Sequence, residues 1–266
     1  MNLQVLVATM GQIDCSLLDK MNIQTDAVVI NQCDKECKQE FEHNGHNIIW
    51  IDTTERGLSK SRNMAINEAT AEICLIADED EILKDNYFDE IIKAFDCYQS
   101  AAIIRFQIKG IEKKFKDYPS NTQKLGYLKS MRASSVELAF KREKIIGKGI
   151  RFDELIGAGT EFLMGEENTF LFHCLGKRLE LYYFPTVIAD LHIGSSTWFT
   201  GYDDRYFIGR GAAFTAMSKR LSIILILQFA LRHRDLCVNN MSICQAIKYM
   251  KQGKKEYLRR LKVCLK

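Results

Sequence analysis

Short apolar runs alternate with longer amphipathic stretches through the first hundred residues. "LQVLVATM", "DAVVINQ", "NIIWID", "ICLIA" and "AAIIRFQIKG" are rich in Val, Ile and Leu. Such runs suit strands buried on both faces of a parallel sheet. Between the third and fourth runs lies "LSKSRNMAINEAT", where Leu58, Ala65, Ile66 and Ala69 share one helical face. In "DNYFDEIIKAFDCY", Phe88, Ile91, Ile92 and Phe95 repeat with the spacing of a second amphipathic helix. Helix-length segments separate the strands near residues 3, 26 and 47, as parallel crossovers require. Strands alternating with helices predict an α/β fold with right-handed crossovers.

Past residue 130 the pattern changes. "SSVELAFKRE" alternates in part and reads as a strand. "GIRFDELIGAGTEFLMG" is punctuated by glycine and reads as a loop. "EENTFLFHCLGKR" has helical periodicity through Phe170, Leu171, Cys174 and Leu175, and its Gly176, Lys177 and Arg178 suit a helix C-terminus. "LELYYFPTVIADLH" predicts a strand, a break at Pro185 and a second strand. The last 45 residues look helical and basic. The expected organisation is one α/β domain over residues 1–214 and a basic helical extension over 215–266.

The 266 residues are enough for a large core, and 47% hydrophobic with 27% charged is ordinary for a globular protein. A net charge of +3 is too small to imply a nucleic-acid partner. The charge is uneven, however. From Lys248 to Lys266 there are eight Lys or Arg against one acid, Glu256. "MNLQVLVATMG" has no basic leader or small-residue cleavage site, so no signal peptide is expected. "IILILQFAL", interrupted by Gln228, falls well short of the roughly 20 residues that span a bilayer. Nine cysteines without paired spacing suggest reduced thiols and a cytoplasmic protein. Cys33 and Cys37 lie four apart but lack the second ligand pair of a zinc site.

The candidate chemistry centres on "ICLIADEDEIL". An apolar strand runs straight into Asp78, Glu79, Asp80 and Glu81, four carboxylates that repel one another. Ligands of open α/β sheets bind beyond the carboxyl ends of strands. Hard oxygen ligands there suit Mg²⁺ or Mn²⁺, which can in turn hold a diphosphate. Asp78 and Asp80 are the candidates, whereas Glu81 and Asp85 read as the solvated, acidic start of the next helix. In "RGLSKSRN", Gly57 permits a tight turn, Ser59 is a candidate N-cap and Arg62 is a candidate phosphate contact. "GEEN" places Glu166 and Glu167 where a loop becomes a helix, as a general base or simply as an acidic first turn. His192 ends a strand, as a metal ligand or a structural hydrogen-bonder. Trp198, Phe199, Tyr202 and Tyr206 are candidates to stack on sugar, or core residues.

Taken in order, "VATM", "INQCD", "GLSKSRNMAI", "ADED", "FDELIGAGTEFLMGEEN" and "ADLHIGSST" resemble glycosyltransferase family 2 over roughly residues 3–200. These are inverting nucleotide-sugar transferases of GT-A fold, with a Rossmann-like, mostly parallel central sheet flanked by helices. The resemblance implies that Thr9, Asn31 and Gln32 line a nucleoside pocket and that Arg62 approaches the diphosphate or nucleoside. Asp78 would contact the ribose or the metal, Asp80 would bind the metal, and His192 would be a late metal-proximal histidine. Glu167 would be the base, with Glu166 not separable from it. The family's second strand often ends in paired aspartates, whereas this one ends Asn31-Gln32, which leaves the uridine preference open.

The implied donor is a nucleotide-sugar, UDP-sugar favoured, with Mn²⁺ or Mg²⁺. The implied acceptor is a glycan or lipid-linked hydroxyl, as in bacterial surface-polysaccharide assembly. The basic C-terminus is either a solvated helix face or a peripheral contact with the inner face of an anionic membrane, where "LSIILILQFALRH" would lie in the interface. Two rival classes stand beside this reading. A metal-dependent nucleotidyltransferase needs a Gly-rich basic loop after its first strand, and "ATMGQID" has one Gly and no base. A non-catalytic nucleotide- or sugar-binding protein does not need both the acid triplet and the Glu pair.

Overall fold

The computed structural model describes residues 1–194, 201–233 and 241–264. They fall into two compact units. One comprises Met1–Arg56, Lys60–Arg151 and Cys174–Ser195, and the other Gly57–Ser59, Phe152–His173 and Ser196–Lys266.

In the first unit the apolar runs form strands where the pattern predicts them. β1 (Leu3–Met10), α1 (Leu17–Lys20) and β2 (Asp26–Gln32) are followed by β3 (Cys37–His43) and β4 (His46–Thr53). Then come α2 (Leu58–Glu68), β5 (Ile73–Asp78), β6 (Glu81–Leu83), α3 (Tyr87–Cys97) and β7 (Ala101–Gly110). β8 (Gln123–Leu125), α4 (Tyr127–Ser130), β9 (Leu138–Lys141), α5 (Arg142–Ile146) and α6 (Glu166–Gly176) lead to β10 (Glu180–Leu191).

Among the described residues ten strands make one sheet, ordered β3-β4-β2-β1-β5-β9-β7-β10-β6, with β8 beside β10. β4, β2, β1 and β5 run parallel, as buried Val/Ile-rich strands should. β9 lies antiparallel between β5 and β7, and β10 is parallel to β7. Val5, Val7, Val29, Leu75, Ala77 and Phe106 pack with Leu17 and Leu18 of α1 and Tyr87, Ile91 and Phe95 of α3. Burying each of the Val, Leu, Ile and Phe side chains among them stabilises by roughly 1.5–3 kcal/mol.

Three elements differ from the sequence pattern. The segment between β2 and β4 is not simply a crossover, because it contains the antiparallel strand β3. The turn joining β3 to β4 carries Asn44 and Gly45, both at positive φ, which is the Asn-Gly signature of a tight hairpin. "SSVELAFKRE" splits into a 3₁₀ turn (Ser135–Glu137), a short strand and a helix. The Ser134–Glu137 capping box explains the split, since it ties the chain into a turn before Leu138. β10 is continuous through Pro185, not broken there. Its register with β7 shifts between Tyr183 and Val187, so a bulge accommodates the residue that has no N–H to donate.

The second unit holds the first turns of α6 with the loop before it, and α7 (Asp204–Met217), α8 (Ser222–Arg232) and α9 (Ile243–Cys264). The extension expected from residue 215 therefore begins inside a helix. Its helices also share a core with the loop at 152–165: Ile156 and Phe162 pack with Ala212, Ala216 and Tyr257. The Tyr257 hydroxyl donates to Asp153 Oδ2 (2.5 Å), and Arg260 pairs with Glu161 (2.8 Å).

α7 and α9 touch backbone to backbone. A Cβ on Gly211 would stand 1.9 Å from Met250 O, and one on Gly253 1.9 Å from Ile208 O. Neither carbonyl can rotate away like a side chain. Gly253→Ala should therefore destabilise the protein by about 1–3 kcal/mol through overpacking, despite a gain in helix propensity. Gly176→Ala, where a Cβ meets nothing within 4 Å, serves as the control. Thermal melts of the two variants check this, and a Gly253→Ala melt no lower than that of the control would contradict the packing described.

Candidate active site

Parallel register lines up the carboxyl ends of the central strands. Thr9 of β1 pairs with Asn31 of β2, Asn31 with Asp52 of β4, and Ala8 with Asp78 of β5. One row of polar residues thus caps a buried apolar sheet, at the edge where ligands of such sheets bind.

The four acids after β5 have four different surroundings. Asp78 is paired: the Arg62 guanidinium donates to its Oδ1 (3.0 Å) and Oδ2 (3.2 Å). Glu79 Oε2 accepts from the Thr9 hydroxyl, from Met10 N (3.2 Å) and from Gln12 Nε2 (3.2 Å). It is therefore bound to the end of β1 and the loop that follows. Asp80 reaches solvent, but its surroundings strip enough water from it, with the Asp78 and Glu79 charges adding, to push its carboxyl up to about 6. Its carbonyl oxygen accepts from His192 N (3.0 Å).

Glu81 corrects the expectation of a solvated turn. It is 1% exposed, the most buried of the four. Its Oε2 accepts from Asp78 N (2.8 Å), while Oε1 has no hydrogen-bond partner among the described residues. Burial, then the charge of Asp78, raises its carboxyl well above the usual range, which favours the protonated form.

Arg62 lies within reach of the strand ends, as expected, but it is buried. Its side chain is 2% exposed, and it also donates to Ser135 Oγ (2.7 Å). That serine belongs to the 3₁₀ turn held by Glu137, which is fully buried. Glu137 accepts from Arg105 Nε (2.8 Å), the Tyr118 hydroxyl (2.5 Å) and Ser134 N (2.7 Å), and Lys116 Nζ stands 3.0 Å away. A chain of polar contacts thus runs from Glu137 through its turn to Ser135, Arg62 and Asp78. Reading the segment as a strand missed Glu137, although Ser134 and Glu137 three apart carry the capping-box spacing.

The nucleoside candidates are more buried than expected. Asn31 is fully buried, with Oδ1 accepting from Gln12 N (3.0 Å) and Nδ2 donating to Gln12 O (2.9 Å) and Asp52 Oδ1 (2.7 Å). Thr9 is 3% exposed and accepts from Gln12 Nε2 (2.9 Å). Gln32 is also buried, and its carbonyl accepts from Gly11 N (3.0 Å). All three brace the loop that begins at Gly11, whose φ of +67° suits glycine.

That loop walls a cleft of about 670 Å³, lined among others by Gln12, Cys15, Lys35, Phe41, Trp50 and Asp52. The volume is in the range of small-molecule sites. Asp52 is a buried carboxylate that the sequence reading did not single out. Burial pushes its carboxyl up, but Lys35 Nζ (2.8 Å), Asn31 and Trp50 Nε1 (3.0 Å) outweigh that and hold it below its ordinary value.

His192 is half exposed. Its Nδ1 stands 2.8 Å from Glu112 Oε1, and Ile193 N donates to Glu112 Oε2 (2.7 Å). These two bonds hold the Glu112 carboxyl down at about 2, so it is an acceptor and Nδ1 carries the hydrogen. Among the described residues, however, no three His, Cys, Asp or Glu side chains converge to hold a metal ion. Asp78, Asp80 and His192 do not form a closed cage. Two hard carboxylates under mutual repulsion instead fit a cation that takes its other ligands from phosphate and water.

In the second unit, Glu166 and Glu167 open α6 after Gly165, whose φ is +90°. Glu166 is buried against Gly157, where a Cβ would stand 3.2 Å from Glu166 Cδ and 3.1 Å from Ser59 Oγ. Glu167 is partly exposed. Ser59 does not act as the expected N-cap. α2 starts at Leu58, whose N donates to Ala158 O (3.0 Å), and the Ser59 hydroxyl donates to Ile156 O (2.6 Å). Two stacking candidates, Trp198 and Phe199, lie outside the described residues. Tyr202 is 47% exposed and stands edge-on to the mostly buried Tyr206, 5.0 Å between centroids.

No curated protein matches this sequence. Among solved structures, S. aureus TarS (residues 1–349) is similar with a TM-score of 0.61 at 12% identity, over 97% of this chain and 92% of that one. TarS in complex with UDP-GlcNAc gives 0.59 at 11% identity, over 97% and 92%. The mannosyltransferase PcManGT from Pyrobaculum calidifontis, in complex with GDP-Man and Mn²⁺, gives 0.54 at 12%, over 95% of this chain and 73% of that one. At such identities the likeness is one of fold, and the fold is that of GT-A glycosyltransferases. Residues 23–155, half of the chain, match the family described as glycosyl transferase family 2. From the loop before β2, through the acid run, to the glycine-punctuated loop before α6, the chain belongs to glycosyl transferase family 2 and is a glycosyltransferase.

Proposed function

We propose that this glycosyltransferase moves a sugar from a nucleoside-diphosphate donor, UDP-sugar favoured, to an acceptor hydroxyl with inversion at the anomeric carbon. The observation that carries the reading is the row of strand ends. β5 delivers Asp78 and Asp80 to the same edge at which the loop after β1 walls a cleft of about 670 Å³. Gln12 joins the two places, bonding both Glu79 and Asn31. The nucleoside end of the donor is assigned to that cleft, with Gln12, Lys35 and Trp50 on its walls. Thr9, Asn31 and Gln32 act from beneath, by holding the loop.

The diphosphate end belongs with the acids. Asp80 and Asp78 would hold Mn²⁺ or Mg²⁺, which when bound neutralises the charge of the leaving diphosphate. Arg62 holds Asp78 in place from the buried side, with Ser135 fixing the guanidinium. His192, with its ring oriented by Glu112, is a weaker candidate for the same cation. UDP-GlcNAc with TarS and GDP-Man with Mn²⁺ in the mannosyltransferase support a nucleotide-sugar and a divalent cation as the classes to test.

Glu167 is proposed as the base. It accepts the proton of the acceptor hydroxyl while that oxygen forms its bond to the anomeric carbon and the diphosphate oxygen departs from the opposite face. One displacement needs no enzyme nucleophile. The partial exposure of Glu167, beside the burial of Glu166 against Gly157, favours Glu167 for contact with a substrate. Trp198 is kept as an acceptor-side candidate, and a lipid-linked or glycan acceptor in surface-polysaccharide assembly as the pathway reading.

The defining experiment is a donor panel of UDP-, GDP- and dTDP-sugars, with and without Mn²⁺, scored by release of nucleoside diphosphate. Release from none of them in the presence of acceptor glycans would overturn the reading. Glu167→Gln should lower kcat by about 10²–10⁴-fold, as loss of a general base does, while the UDP-induced rise in Tm persists. Near-normal turnover in that variant removes Glu167 from the role. Asp80→Asn should abolish the part of the UDP-induced stabilisation that depends on Mn²⁺. At a hundredfold excess over Kd that stabilisation is about 2.7 kcal/mol in the wild type, large enough for a thermal shift to read.

A further inference from the structure

α8 is amphipathic in an unusual sense, because the face turned away from its own unit is also apolar. Ser222, Ile226, Phe229 and Ala230 are buried. On the opposite side Leu221 is 51% exposed, Ile224 62%, Leu227 41% and Leu231 57%. Steps of three, three and four residues place these four side chains in one row along the helix. A row of large aliphatic side chains facing water is not explained by the folding of the unit, since their burial contributes nothing there.

The charges around this row are mostly positive. Between Arg205 and Lys255 the sequence has ten Lys or Arg and a single acid, Asp235. Lys219 and Arg220, both exposed, stand immediately before α8, and exposed Arg232 closes it. Cations just ahead of a helix N-terminus oppose the helix dipole, so Lys219 and Arg220 do not serve the stability of α8. α9 continues the theme: Lys248, Lys251, Lys255, Arg259 and Lys262 are exposed at helical spacing. They form a stripe opposite the buried Ala246, Met250, Gly253 and Tyr257.

An apolar row flanked by cations matches one surface better than any other: acyl chains beneath anionic headgroups. A protein partner that covered the row would need matching acidic groups at both of its ends, whereas an anionic bilayer offers negative charge everywhere around the inserted side chains. Among the described residues no helix is long and apolar enough to cross a membrane, so the geometry is that of a helix lying on the surface. We infer that α8 is a bilayer-docking helix, inserting Leu221, Ile224, Leu227 and Leu231 among the acyl chains of an anionic leaflet while Lys219, Arg220 and Arg232 contact phosphate headgroups. The inference stands on the exposed row and its charges, independently of the donor and the base.

The test is co-sedimentation of the full chain with vesicles of phosphatidylcholine alone and of phosphatidylcholine mixed with phosphatidylglycerol. The wild type should bind the mixed vesicles, bind the neutral ones at least tenfold more weakly, and dissociate as salt rises. The double variant Ile224→Glu, Leu231→Glu should lose at least tenfold in vesicle affinity with an unchanged melting curve, because both side chains are exposed. Lys219→Glu with Arg220→Glu should remove most of the salt-sensitive part. Failure of the wild type to bind the mixed vesicles overturns the inference, as does binding indifferent to the Ile224 and Leu231 substitutions. Light scattering supplies a third check. A dimer that the double variant turns into a monomer would show that a second copy of the chain covers the row, and would equally overturn it.

Discussion

Four adjacent carboxylates at the end of a buried strand are the constraint around which the first unit is arranged. Left alone they would repel one another, and the more buried of them would be costly to ionise. The fold separates their surroundings. Asp78 meets the charge of Arg62, and Glu79 is bound by the end of β1 and the loop that follows. Glu81 goes into the interior, where burial favours the protonated state. Asp80 reaches solvent, yet loss of water around it, with the neighbouring charges adding, leaves its carboxyl raised to about 6.

Each of these solutions draws in further residues. Arg62 can be buried because Asp78 and Ser135 accept its hydrogen bonds. Ser135 is in place because the turn at Ser134–Glu137 is clamped by Arg105, Lys116 and Tyr118. Such a buried ionic cluster is weak evidence for stability, because desolvation offsets much of the attraction. Its visible result is the orientation of one guanidinium. On the other side, Glu79 and Asn31 both hold Gln12, so the wall of the cleft is tied to the same acid run and to the buried Asp52. The second unit has its own version of this economy, in which the C-terminal helices pack on the loop that leads to Glu166 and Glu167 and hold it through Tyr257 and Arg260.

Several features were readable along the chain because they depend on local periodicity. β1, β2, β5, β7 and α3 lie where runs of Val and Ile or the helical spacing of Ile91 and Phe95 place them, since burial of an apolar strand or stripe is a local property. Motif order led to the family for the same reason: "GLSKSRN" and "ADED" are contiguous and keep their sequence spacing. Misreadings arose where the deciding contact is distant or polar. β3 lacks an apolar run because it is an edge strand, and only Asn44-Gly45 signals it. Glu81 looks like a surface acid until the sheet closes around it. Ser59 looks like an N-cap until Ile156, nearly a hundred residues on, supplies an acceptor for its hydroxyl.

Residue order alone implied an α/β fold, carboxylates at the end of the apolar run at 73–77, and basic helices at the end of the chain. Hydrophobic periodicity and charge order are written in neighbouring residues, so these conclusions needed no three-dimensional knowledge. The three-dimensional fold settles which acid is paired, which is buried and which reaches solvent. It alone decided that Thr9 and Asn31 brace a loop, that Asp52 lines the cleft, and that the C-terminal helices form one unit with the loop before Glu167. The physical reason is common to all of them: burial and hydrogen-bond partnership are set by residues far apart in the chain, and the ionisation and orientation of a polar side chain follow from both.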